Sequence, residues 1–272
     1  MIFVNGVAQS VIPADDRGVA YGDGVFRTLP VRDRQASHWS RHYAKLAHDC
    51  ARLRIPAPEE ATLAAEVAAI ARSEPDCAIK IIITRGRAAR GYMPPCVTEP
   101  TRILASFPFP AYPREHYERG VRLHLCQLRL ASQPALAGVK HLNRLENVLA
   151  RAEWGEADYA EGMLLDGEDN VICGTMSNLF VVESGGLATP DLTRCGVAGV
   201  TRDRIIAAAA RHGVACRVER IALERVLRAE QVFVANSLIG VWPVQYLAGR
   251  TWQPGEIIHR IGQWLDEAEA RS

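Results

Sequence analysis

Lysine is the scarce base of this sequence: three residues, Lys45, Lys80 and Lys140, stand against 29 arginines. Arginine stays protonated near neutral pH and cannot act as an amine nucleophile, whereas a lysine that is desolvated or crowded by charge can. Lys140 lies in AGVKHLNRLENVLAR, between a small, flexible approach and an apolar-faced helix, a setting for a semi-buried amine. A solvated lysine in the first turn of that helix is the plainer alternative. The run GVAGVTR at 196–202 is a second candidate. A glycine ahead of a helix start exposes backbone N–H groups, and with the Thr201 hydroxyl it forms a seat for a phosphate. The alternative there is an ordinary helix start. Neither a P-loop nor a GxGxxG turn after a strand is present, so nucleotide binding has little support. Arg85, Arg87, Arg90 and Arg144 could each receive a carboxylate through a bidentate fork, and the sequence alone does not choose among them.

The elements that must position these residues read as mixed helices and strands. Ile2–Val4 is a short strand closed by Asn5-Gly6, and YGDGVF at 21–26 leads into a strand over Phe26–Val31. Helical spacing spans Trp39–Leu53, and a second helix runs from Glu59 to Arg72. CAIKIIITRG (77–86) and TRILASFPF (101–109) are apolar, β-branched-rich runs typical of buried strands. Three prolines in 108–120 mark an interdomain connection. Residues 121–131 alternate as a strand does, His141–Trp154 is expected as a helix with Leu142, Leu145, Val148 and Leu149 on one face, and 162–190 reads as a meander. A helix opens after Gly199, a strand covers Gln231–Ala235, and an amphipathic helix starts near Glu256. The division expected is a smaller α+β domain over 1–110, a linker over 111–120, and a larger domain over 121–272 that carries Lys140.

Composition is that of a globular chain, 48% hydrophobic and 23% charged over 272 residues, with a net charge of +1. The balance argues against a nucleic-acid partner. No run reaches the ~18 apolar residues of a membrane span, and the opening residues lack a basic, apolar signal pattern and soon meet Asp15 and Asp16. The seven cysteines are odd in number and scattered without a CxxC pair, which points to a reducing cytoplasm and to no zinc site.

Taken together, YGDGVF (21–26), TRGRAARGY (84–92), GVKHLNRLE (138–146), SNLF (177–180), GVAGVTR (196–202) and NSLIGVWPV (236–244) resemble the fold-type-IV pyridoxal-phosphate enzymes. The motifs stand in that family's order and cover nearly the whole chain. The family includes D-amino acid and branched-chain aminotransferases and the aminodeoxychorismate lyases; KHLNRLE, RGY and NSLIGVWPV lean to the lyases. The resemblance implies a D-amino acid aminotransferase-like α/β fold. Its N-terminal domain would be α+β, its C-terminal domain α/β and barrel-like, with the cofactor in the cleft between them. It implies a homodimer and a small dicarboxylate substrate. It further implies that Lys140 bears pyridoxal 5′-phosphate, that Val200 and Thr201 bind its phosphate, and that Asn236 and Ser237 add contacts to the phosphate or ring. Arg90 and Tyr92 fall in a loop near the family's active site, and with Arg144 they are candidates for the substrate carboxylates.

Three positions depart from the family. Lys45 stands where relatives place an arginine, three residues after His42, so the charge is kept and the bidentate fork is lost. Cys173 stands where relatives place the glutamate that faces the cofactor's pyridine nitrogen, and a thiol supplies no fixed negative charge unless ionised; Glu168 or Asp169 could serve instead. Arg27 replaces an acid found in many relatives. Two other readings stay open: an aminotransferase of the same fold, which would share Lys140, and, because of Lys45 and Cys173, a relative that binds the cofactor weakly or not at all and is not catalytic.

Overall fold

The computed structural model describes residues 1–155 and 158–269. Its contacts divide the chain into two compact units, one of residues 1–110 with 139–143, the other of residues 111–138 with 144–272.

The first unit contains β1 (Ile2–Val4), β2 (Val7–Ala8), α1 (Arg17–Tyr21), β3 (Gly24–Arg32), β4 (Gln35–Ala36), α2 (Trp39–Arg52), α3 (Glu60–Ser73), β5 (Cys77–Thr84) and β6 (Thr101–Pro108). Among the described residues its strands form one six-stranded antiparallel sheet, ordered β2-β1-β6-β5-β3-β4. The period of two puts Ile79, Ile81 and Ile83 of β5 into the core, while Lys80 and Ile82 face the other way, half-buried. In β3 the same alternation directs Val25, Leu29 and Val31 inward together with Arg27. Leu46 and Cys50 of α2, and Leu63, Val67 and Ile70 of α3, recur at helical spacing and close this core.

The second unit contains α4 (Glu115–Glu118), β7 (Val121–Leu130), α5 (Leu145–Arg151), β8 (Glu161–Asp166), β9 (Val171–Gly174), β10 (Asn178–Glu183) and β11 (Gly186–Pro190). It continues with α6 (Val200–Arg211), β12 (Cys216–Glu219), α7 (Leu223–Arg228), β13 (Gln231–Asn236), β14 (Gly240–Leu247), β15 (Arg250–Thr251) and α8 (Glu256–Glu269). Among the described residues its sheet runs β12-β11-β10-β13-β14-β7-β8-β9, with β15 on β14. β10 and β13 are apolar at successive positions because both of their faces are covered. Leu179, Val181, Val232 and Val234 feed one core, and Phe180, Val182, Phe233 and Ala235 feed another that α6 and α8 complete.

Four expectations are corrected. The helix expected over His141–Trp154 is only Leu145–Arg151, because residues 140–142 pair as a strand with the start of β3. That pairing groups Val139–Asn143, and Lys140 with them, with the first unit rather than with the larger one. The apolar face of α5 is turned to solvent, Leu145 being 75% exposed and Val148 and Leu149 each 60%. Finally, the expected linker 111–120 belongs to the second unit: Tyr112, His116 and Tyr117 set their rings edge-on to Trp242 at 4.8, 4.9 and 6.2 Å.

Candidate active site

Lys140 is held by its main chain. Its C=O accepts the Phe26 N–H at 2.9 Å, and the Leu142 N–H donates to the Gly24 carbonyl at 2.9 Å, which makes residues 140–142 an added strand beside β3. The Lys140 N–H donates to Asp49 Oδ2 at 3.0 Å. Its Nζ lies 4.6 Å from the centre of the Phe26 ring, and Lys80 Nζ lies 4.8 Å from the same ring. Two of the chain's three lysines thus rest on one aromatic side chain.

Lys45 sits half-buried on α2, one turn before Asp49. Asp49 is wholly buried and pairs with Arg27, so the third departure from the family has its counter-ion in the same core.

The glycine-rich turn at 21–24 organises a second cluster in this unit. Asp23 receives Arg17 Nε at 2.8 Å and Arg85 Nε at 2.8 Å. Burial alone would raise the Asp23 carboxyl, but the guanidiniums of Arg85 and Arg17 outweigh it and hold it below the usual carboxylate range. Arg17 also donates to the carbonyls of Gly91 and Tyr92 at 2.8 and 3.1 Å, and the Gly91 N–H donates to the Tyr21 hydroxyl at 3.2 Å. The loop bearing Arg90 and Tyr92 is therefore tethered at its main chain while both side chains are exposed. Arg85 is occupied by Asp23 and by the carbonyls of Leu53 and Arg54, whereas Arg87 pairs with Asp15 at the surface, 65% exposed.

In the second unit α6 begins at the turn where the sequence predicts a phosphate seat. Gly199 is its N-cap, and the first helical bond runs from the Asp203 N–H to the Gly199 carbonyl, so the N–H groups of Val200, Thr201 and Arg202 precede it. A side chain at Gly199 would put its Cβ 2.4 Å from Asn178 Oδ1, which accepts the Gly199 N–H. Thr201 and Ser237 bring their hydroxyls to 3.3 Å of each other. They line a cavity of about 310 Å³ that also takes in Tyr117, Arg204 and His259, with no acid among the described lining residues. Asn236 has a different part: its Oδ1 accepts the N–H groups of Leu238 and Ile239, and its Nδ2 donates to the Met176 carbonyl, so its amide shapes the turn that carries Ser237.

Cys173 is buried on β9, opposite Leu164. Glu168 and Asp169, considered as substitutes for the missing acid, lie at the β8–β9 turn and pair with Arg194, Arg220 and Arg129. Arg144 precedes α5, where burial lowers its guanidinium from the ordinary value and nearby Cys173 and Glu146 act in the opposite sense.

Sequence reasoning missed Asp49, Arg17 and Glu161. Glu161 opens β8 and is 1% exposed. Its carboxylate accepts the N–H groups of Gly162, Thr175 and Met176 and the hydroxyls of Thr175 and Ser177, which fixes the turn after Cys173. A carboxylate opening a strand ahead of the run Gly162-Met163-Leu164-Leu165 was the available signal. Asp49 offered a comparable one, an acid on the apolar face of an amphipathic helix. Among the described residues no group of three or more His, Cys, Asp or Glu could hold a metal, and no helix is long and apolar enough to cross a membrane.

The family model for class IV amino-transferases matches residues 24–247. An aminodeoxychorismate lyase of Vibrio harveyi is 38% identical over 244 residues, 90% of each chain. The crystal structure of 4-amino-4-deoxychorismate lyase from Pseudomonas aeruginosa superposes with a TM-score of 0.95 at 44% identity, covering 98% of both chains. The branched-chain amino acid aminotransferase of Escherichia coli gives a TM-score of 0.87 at 25% identity, covering 96% of this chain and 92% of its own.

Proposed function

We propose, from the premise that this chain belongs to the class IV aminotransferase family, that it is a lyase converting 4-amino-4-deoxychorismate to 4-aminobenzoate and pyruvate. One observation carries the reading. Lys140, which its flanks mark as the cofactor-bearing residue, is fixed at both its N–H and its C=O while its amine lies over the Phe26 ring.

The residues fit pyridoxal 5′-phosphate. The paired hydroxyls of Thr201 and Ser237, the N–H groups opening α6 and an acid-free lining suit a phosphate. Lys45 adds a positive charge as a point rather than a fork. When bound, the cofactor supplies an electron sink for removal of a proton from the carbon bearing the substrate amine. Lys140 Nζ takes that proton as general base. The ring C–O bond to the neighbouring enolpyruvyl group would then break, the departing enolate becoming pyruvate on taking up a proton, which balances the one taken by Lys140, and the ring left behind is aromatic. Arg90, Tyr92 and Arg144 are the candidates for the two carboxylates.

Cys173 favours the lyase over an aminotransferase of this fold. Transamination depends on a long-lived carbanion that is reprotonated elsewhere, whereas elimination is driven forward by aromatisation. A thiol in place of the relatives' carboxylate therefore costs the first reaction more. The protein works on a small dicarboxylate as a homodimer, a state the exposed apolar residues of α5 support. It works in a reducing cytoplasm, a reading supported by the odd number and scattered spacing of its seven cysteines.

The test is spectroscopic and chemical. Protein supplemented with pyridoxal 5′-phosphate is expected to show a near-visible band that borohydride fixes to the peptide bearing Lys140. The band is lost in Lys140→Ala and kept in Lys80→Ala, and the loaded protein releases 4-aminobenzoate and pyruvate in equal amounts. No band in the supplemented parent overturns the reading; a band with turnover of D-alanine or leucine but no 4-aminobenzoate replaces it with an aminotransferase.

A further inference from the structure

We infer that the buried Arg27–Asp49 pair is a positioning device for Lys140, an inference that rests on the lyase reading and goes beyond it. β3 turns Val25, Arg27 and Leu29 to one side, so a guanidinium enters a layer of aliphatic side chains and is 3% exposed. A cation buried there is tolerated only beside a counter-charge. Asp49, with no exposed surface, supplies it from the last turn of α2.

The pair reaches further than its own charges. The carboxylate oxygen that binds Arg27 is the one that accepts the Lys140 N–H. One oxygen therefore ties β3, α2 and the Lys140 main chain together. Phe26, next to Arg27, completes the hold by donating its N–H to the Lys140 carbonyl and placing its ring under the Lys140 amine. With both main-chain groups held, Nζ moves only by rotation about its own side-chain bonds. Asp49 also follows Lys45 by one turn, so the same stretch of α2 carries the lysine's anchor and the cation assigned to the phosphate.

Two paired variants separate positioning from bulk stability. Arg27→Gln with Asp49→Asn removes both charges and keeps an acceptor for the Lys140 N–H. Arg27→Met with Asp49→Leu removes the acceptor and keeps the volume apolar. Amide exchange at Lys140, read by NMR and referenced to the Ile81 amide, is expected to quicken at least 100-fold in the apolar pair. The dissociation constant for pyridoxal 5′-phosphate is expected to rise at least tenfold with it, while the polar pair stays within about threefold of the parent on both. An apolar pair that leaves both quantities unchanged, or a polar pair that loses as much as the apolar one, overturns the inference. Should the apolar pair fail to fold, the parent decides: a Lys140 amide exchanging as fast as that of exposed Ala89 overturns it, and a protected one upholds it. Failure of the lyase reading is distinguishable, because it shows as a missing near-visible band in the parent whatever the amide does.

Discussion

The guanidinium of Arg144 lies within electrostatic reach of the Cys173 thiol, at a place whose burial pulls that guanidinium below its ordinary value. Position 173 therefore already faces a cation, and the Cys173 side chain acts, with Glu146, against the lowering that burial imposes on it.

A glutamate introduced there would meet a charge rather than a bare apolar wall. Cys173→Glu is expected to fold with a loss of about 1–2 kcal/mol, against several for a buried carboxylate without a partner. It is expected to raise any transaminase side activity at least fivefold more than the lyase rate. Both rates are measured on parent and variant with 4-amino-4-deoxychorismate and with D-alanine. Equal proportional gains would sink the claim that the thiol biases the chemistry towards elimination.

Arg17 acts on the loop at 87–93 without being in it. Arg17→Met gives up the bonds to Asp23, Gly91 and Tyr92, a change of about 2–4 kcal/mol if all three are lost. The expected result is a rise in KM of tenfold or more with kcat within about threefold, and earlier proteolytic cutting in the loop. Arg17→Lys should not restore it, since a point charge cannot span two carbonyls and a carboxylate. A fall in kcat with unchanged KM would show that the cluster serves something other than substrate binding.

The packing of residues 111–120 is expected to depend on pH through His116. Burial pushes its imidazole below the usual value, the neighbouring Glu115 opposing, and its Nδ1 has no hydrogen-bond partner among the described residues. The unfolded ring, near pH 6.5, takes a proton more readily than the folded one. This contribution to stability is therefore complete above about pH 6.5 and is lost as pH falls through the lower folded value. Tm followed from pH 7.5 to 5 should fall more steeply in the parent than in His116→Phe, which keeps an edge contact on Trp242. Parallel curves would remove His116 from the account.

Much of this architecture was legible because it is local. The alternation in CAIKIIIT exposes its strand character, since successive side chains must point to opposite faces. α2 is legible for the same reason at a period of 3.6. α5 misled because an apolar stripe normally marks a buried face, and here Leu145, Val148 and Leu149 are exposed. Arg85 and Arg87 were equally eligible as carboxylate receptors because an arginine's partner is no property of its neighbours in sequence.

What the sequence by itself determined was the family and the glycine-opened start of α6, and it marked Lys140 as the amine to propose as reactive, all carried by contiguous residues. Tertiary structure decided how those residues are held. It laid residues 140–142 along β3, gave Arg27 its acid from a helix 22 positions on, and spent Arg85 on Asp23 and two carbonyls. The physical reason is that a strand or helix follows from side-chain periodicity over a few residues. A buried charge or main-chain N–H must instead find its partner wherever folding brings one.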